Sequence, residues 1–132
     1  MIRALLLDLD DTLFDRHAAF SAWADDLAWA QRGRSVSGDE LRLLGELDAR
    51  GQRSRRELAN DAYARLGFVI DPNTFPAALA EHVMIEDGVA RTITRLAEIM
   101  RVGIVTNGGA AQRRKLARIG LEEVVHAVFV SG

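Results

Sequence analysis

Two carboxylates stand two residues apart at the exit of an apolar run, where Leu5-Leu6-Leu7 is followed by Asp8-Leu9-Asp10-Asp11-Thr12-Leu13. In extended backbone, side chains two apart project to the same side, so Asp8 and Asp10 can share one pocket. Carboxylates held that close repel unless a cation neutralises them. Oxygen ligands of this kind suit Mg2+, which keeps several waters and binds through one or two carboxylates plus a substrate phosphate. A second group stands at the exit of another apolar run, where Val102-Gly103-Ile104-Val105 ends in Thr106-Asn107-Gly108-Gly109. Thr106 and Asn107 offer a hydroxyl and an amide, and the glycines let backbone approach a ligand closely. A helix starting just beyond would turn its free N–H groups and its dipole toward an anion.

The elements that must position these groups follow from periodicity. Continuous apolarity over residues 2–7 and 102–105 predicts strands buried on both faces, as in a parallel sheet. Between them the pattern is helical. Phe20, Trp23, Leu27 and Ala30 predict an amphipathic helix over 17–31 that ends near Gly33. Ser37 with Glu40, and Ser54 with Glu57, predict two capping boxes, each followed by a leucine-rich stripe. Asp71-Pro72 marks a turn and a short helix covers about 75–83. Asp87 is the expected cap of a helix carrying Val89, Ile93, Leu96 and Met100. A helix over about 110–119 stops at Gly120, and Val124 to Val130 contains a third strand. An α/β sheet core interrupted by an all-helical insert is the architecture this order predicts. Adjacent parallel strands would bring the carboxylates and the anion cradle to one sheet edge, where ligands of open α/β sheets bind. That constellation favours phosphoryl transfer.

Asp8-Leu9-Asp10-Asp11-Thr12-Leu13 and Val105-Thr106-Asn107-Gly108 resemble the first and second motifs of the haloacid dehalogenase superfamily. Gln112, Lys115-Leu116 and Gly120-Leu121 continue the likeness toward its helically capped small-molecule phosphatases. The resemblance implies a Rossmann-like parallel sheet core, here with three strands, formed by residues 1–15 and 84–132. Residues 16–83 would be an inserted helical cap that closes over the site. It implies Asp8 as the nucleophile that forms an aspartyl-phosphate, and Asp10 as the acid and base. Mg2+ would be ligated by Asp8 through its carboxylate and by Asp10 through its backbone carbonyl. Thr106, Asn107 and Gly108 would hold the phosphate. Dehalogenating members lack an acid at the position of Asp10, so the implied activity is hydrolysis of a phosphate monoester on a small metabolite. A mutase shares the first motif.

The family's third motif, a lysine, and its fourth, an acidic pair, do not occur before Gly132. Lys115 is the chain's only lysine among 17 basic residues. Its place on the helix after the second motif matches a non-catalytic lysine of the family, and it is assigned no catalytic role. A chain ending at Gly132 would leave the first strand an open edge. The expectation is therefore a truncated form with impaired activity, or a homodimer through that strand. The alternative is a non-catalytic binding or dimerisation domain on the same fold.

The remaining residues invite plainer readings. Asp11 and Asp15 suit loop solvation or capping, and Arg50, Arg53, Arg55 and Arg56 suit a solvated helix junction. Trp23 and Trp29 are expected to pack within the cap, and His17, His82 and His126 carry no metal-ligand spacing. Net charge is −2, which gives no whole-chain argument for nucleic acid or an anionic membrane. With no cysteine and no long apolar run, a cytoplasmic protein is expected.

Overall fold

The computed structural model describes residues 3–10 and 12–131, so the expectation for Asp11 lies outside the described residues. The elements run β1 (Ala4–Asp8), α1 (Arg16–Arg32), α2 (Gly38–Asp48), α3 (Arg55–Leu66), α4 (Phe75–Ala80), α5 (Asp87–Ile99), β2 (Arg101–Asn107), α6 (Ala110–Ile119) and β3 (Ala127–Ser131), with one 3-10 turn over Ala49–Gly51. The chain falls into two compact units, Met1–Arg16 with Val83–Gly132, and His17–His82.

The first unit is α/β. Its three strands form one parallel sheet in the order β1-β2-β3. Leu6 pairs with Gly103 and Asp8 with Val105; Val105 pairs in turn with Phe129. The alternation of side chains then separates two faces. Val102, Ile104 and Thr106 are buried on one, in the core that Ile93 of α5 and Leu116 of α6 help to fill. Leu6, Val105 and Phe129 lie on the other and are 64%, 42% and 58% exposed. Expected burial on both faces is thus met on one only. Among the described residues β1 pairs with β2 alone, so it is an edge strand.

Helices make up the second unit, and its core is aromatic. Trp23 lies 4.6 Å from Phe75 and 5.1 Å from Phe20, ring centre to ring centre, in tilted and edge-on contacts. Trp29 departs from expectation. It is 55% exposed, because its position on α1 falls outside the buried stripe of Ala19, Phe20, Trp23, Ala24 and Ala28.

The capping chemistry is partly as predicted. Ser37 forms the full box: its hydroxyl accepts from Glu40 N–H at 3.1 Å, and the Glu40 carboxylate accepts from Ser37 N–H at 3.0 Å. Ser54 forms only half a box. Its hydroxyl accepts from Glu57 N–H, but the Glu57 carboxylate is drawn away to the Arg53 guanidinium at 3.1 Å. Asp87 is the first residue of α5 rather than its cap; that place belongs to Glu86, and no side chain caps the helix.

Glu40 also has a measurable role in acid. Its hydrogen bond from Arg34 at 2.9 Å, and then the one from Ser37 N–H, hold its carboxyl down at about 2 against an ordinary 4.5. A carboxyl depressed in the folded state stabilises fully above its unfolded value and loses that contribution as pH falls toward the folded one. Glu40→Gln should therefore flatten the stability profile between about pH 4.5 and about 2, followed by tryptophan fluorescence in urea. An unchanged acid limb would show that Arg34 and Ser37 do not hold the carboxylate in solution.

Candidate active site

The site is built at the carboxyl ends of β1 and β2. Asp8 is the last residue of β1 and is exposed, and its Oδ1 accepts from the N–H of Leu9 at 2.9 Å. The chain then turns tightly. Leu13 N–H donates to the Leu9 carbonyl at 3.1 Å, and Leu9, Leu13 and Phe14 are buried. This apolar anchor fixes the loop from which Asp10 projects.

Asp10 is held from α6. Its Oδ1 accepts from the Lys115 ammonium at 2.7 Å, and its Oδ2 accepts from the Gln112 amide at 2.5 Å. The same Gln112 nitrogen donates to Thr106 Oγ1 at 2.6 Å. Gln112, Lys115 and Thr106 are all buried, while the Asp10 side chain keeps 30% of its surface open. The Lys115 ammonium also lies 5.5 Å from the centre of the Phe14 ring, within range of a cation–π attraction. One chain of hydrogen bonds thus joins the first acidic loop to the end of β2.

The other residues at the β2 exit face β3. The Asn107 amide oxygen accepts from the Ser131 hydroxyl, and the N–H groups of Gly108 and Gly109 donate to the Ser131 carbonyl at 2.8 and 3.3 Å. Gly108 has φ +128. A Cβ built there would stand 2.9 Å from Gln112 Cγ. The glycine therefore leaves room for Gln112 to fold back toward Asp10.

The structure accordingly divides the expected site residues into two sets. Asp10 and Thr106 are joined through Gln112 on the helix side. Asp8 shares a face with Val105 and Asn107, by register and alternation. Lys115, set aside on sequence grounds, lies on α6 as expected and there meets Asp10. A signal was present in its spacing, since Gln112 and Lys115 are three apart and so share a helix face, as do Gln112 and the buried Leu116 at four. His126 has a structural bond: its Nδ1 accepts from Val102 N–H at 3.0 Å. Arg53 is committed to Glu57 and Asp61, at 3.1 and 2.6 Å.

Hard oxygen donors are what the acidic end of β1 offers, the Asp8 carboxylate and the main-chain carbonyl of Asp10. They fit Mg2+ in the manner that ion usually adopts, with few protein ligands and the rest water or phosphate. Among the described residues, no three or more His, Cys, Asp or Glu side chains are grouped as an all-protein metal cage would need.

No protein-family model and no curated protein matches the chain by sequence. Solved structures do match its fold. The HAD-hydrolase YfnB from Bacillus subtilis, determined with magnesium bound, is 25% identical with a TM-score of 0.71. L-2-haloacid dehalogenase from Xanthobacter autotrophicus is 20% identical with a TM-score of 0.68. A HAD family hydrolase from Deinococcus radiodurans, with bound phosphate and sodium, is 22% identical with a TM-score of 0.59. These matches cover 97%, 98% and 97% of this chain and 63%, 57% and 57% of the three relatives. The chain therefore spans about three fifths of their length. With an inserted helical unit, a parallel sheet and acidic residues at the end of its first strand, the chain is built on the fold of the haloacid dehalogenase superfamily of hydrolases.

Proposed function

We propose that the protein is a Mg2+-dependent hydrolase of phosphate monoesters, acting on a small phosphorylated metabolite through an aspartyl-phosphate at Asp8. One observation carries this reading. Two residues beyond Asp8 a second carboxylate, Asp10, is fixed by donors to both of its oxygens while its side chain stays 30% open. With one donor on each oxygen, each keeps a second lone-pair site where a proton can be carried, given up or taken back. The dehalogenating chemistry does not use an acid at this position, whereas transfer to and from an ester oxygen does.

The steps then follow from the residues. An Asp8 oxygen attacks phosphorus, the bond to the ester oxygen breaks, and its electron pair leaves with that oxygen. This step uses Asp10 in its acid form, whose proton passes to the leaving oxygen and leaves the carboxylate ionised. Asp10 then takes a proton from water as the water attacks the aspartyl-phosphate, which releases inorganic phosphate and restores Asp8. Thr106 and Asn107 stand at the β2 exit to meet the phosphoryl oxygens. Mg2+, held by the Asp8 carboxylate and the Asp10 carbonyl, supplies neutralisation of phosphoryl charge when bound. The direct test is release of inorganic phosphate from an aryl phosphate by the purified chain, with Mg2+ and with EDTA. Folded protein that releases none in either condition overturns the proposal.

A second reading has its own support. The N–H groups of Gly108 and Gly109, which would cradle an anion, are already donated to Ser131. On that reading the fold serves binding, and the open edge of β1 pairs with a second copy of the chain. Sedimentation equilibrium and phosphate release on one sample separate the two: a folded dimer that releases no phosphate is the binding domain, and Mg2+-dependent release from monomer or dimer is the enzyme. Among the described residues no helix is long and apolar enough to cross a membrane.

A further inference from the structure

We infer that Gln112 and Lys115, one turn apart on α6, are positioning residues that aim the Asp10 carboxylate for proton transfer. The inference rests on the phosphatase reading and adds two residues to it.

Three features of the structure point the same way. First, the two side chains take one Asp10 oxygen each, at 2.5 and 2.7 Å, so the plane of the carboxylate is fixed and not only its location. Second, Gln112 also donates to Thr106 Oγ1, which ties the orientation of Asp10 to the β2 exit where a phosphoryl group would sit. Third, the turn is shaped around this contact, because any side chain at Gly108 would collide with Gln112 Cγ. The choice of residue is also informative. The chain uses arginine at 16 of its 17 basic positions and lysine only at 115, the one basic residue in the buried class among those described. A compact ammonium can approach a single carboxylate oxygen as a point charge, whereas a guanidinium needs room for a planar fork.

Aim matters because proton transfer needs the carboxylate oxygen in line with the ester oxygen, and misplacement by about 1 Å can cost about 100-fold. A residue acting through Asp10 should matter in proportion to how much the leaving group needs its proton. Lys115→Met and Gln112→Met should therefore lower kcat/KM for an alkyl phosphate by roughly 10- to 100-fold. For 2,4-dinitrophenyl phosphate, whose leaving group departs without protonation, the loss should stay within about threefold. A purely structural role would depress both esters equally, and that result overturns the inference while leaving the phosphatase reading intact. If the wild-type chain turns over neither ester, the phosphatase reading fails and the positioning role falls with it.

A second measurement needs no turnover. With a single lysine, protein labelled with 15N-lysine should give one slowly exchanging side-chain ammonium signal, shifted or lost in Asp10→Asn. No such signal, or one indifferent to Asp10→Asn, removes the contact and overturns the role whatever the kinetics show.

Discussion

Replacing Asp8 with asparagine is expected to remove Mg2+-dependent phosphate release, by roughly three orders of magnitude or more, without changing the stability of the fold. The kinetic half follows from the proposed chemistry. An amide oxygen is a poor nucleophile toward phosphorus and cannot complete an acyl-phosphate, so no covalent route remains. The structural half follows from the surroundings of Asp8. It is exposed at the end of β1, and its one side-chain hydrogen bond among the described residues is accepted from the Leu9 N–H at 2.9 Å. The carbonyl oxygen of asparagine accepts the same bond. An exposed change that keeps the bond should alter stability by less than about 0.5 kcal/mol. Phosphate release and urea unfolding on the same preparation check both halves. An Asp8→Asn protein with wild-type turnover would show that another group attacks phosphorus. A protein that unfolds would make the loss of activity uninterpretable for Asp8, and contradict the exposure on which the expectation rests.

The parts of this fold that are legible in the sequence are those set by local rules. An apolar run that stops at acids specifies β1, and another that stops at Thr106-Asn107-Gly108 specifies β2. Ser37 and Glu40 specify the start of α2 because every partner in the box lies within four residues. The same rule gives only half its result at Ser54, since Arg53 competes for Glu57 and a spacing rule does not count competitors. Trp29 fails for a different reason. Tryptophan favours burial, yet the stripe of α1 is fixed by which face meets the other helices of its unit, and position 29 is outside it. The site divides along the same line. Asp8, Asp10, Thr106 and Asn107 could be proposed because each ends or follows a strand. Lys115 could be singled out as the chain's one lysine but not paired, because its partner Asp10 is 105 residues away and the contact exists only after the sheet brings α6 beside the first loop. Gly108 reads from sequence as a place where backbone can approach a ligand; that a Cβ there would also stand 2.9 Å from Gln112 Cγ is a contact no local rule reveals.

The buried pair itself should reveal which partner depends on the other. Asp10→Ala is expected to destabilise the protein by about 2–4 kcal/mol, whereas Lys115→Met should cost at most about 1 kcal/mol. The asymmetry comes from exposure. The Lys115 side chain is 8% exposed, so without Asp10 its ammonium would be left in a buried site with only the Phe14 ring, 5.5 Å away, as a stabilising neighbour among the interactions described. Leaving a buried charge without its counter-charge is the costly way to break such a pair. The Asp10 side chain is 30% exposed and keeps the Gln112 donor, so after Lys115→Met water can complete its solvation. Methionine also fills much of the volume that the lysine stem occupied. Combining the two changes should then restore most of what Asp10→Ala loses, because the double variant buries neither charge. Urea unfolding of the wild type, the two single variants and the double variant closes the cycle. If Lys115→Met proves as costly as Asp10→Ala, the ammonium is supporting more than Asp10. If neither change matters, Lys115 reaches water in solution and the pair does not hold the loop.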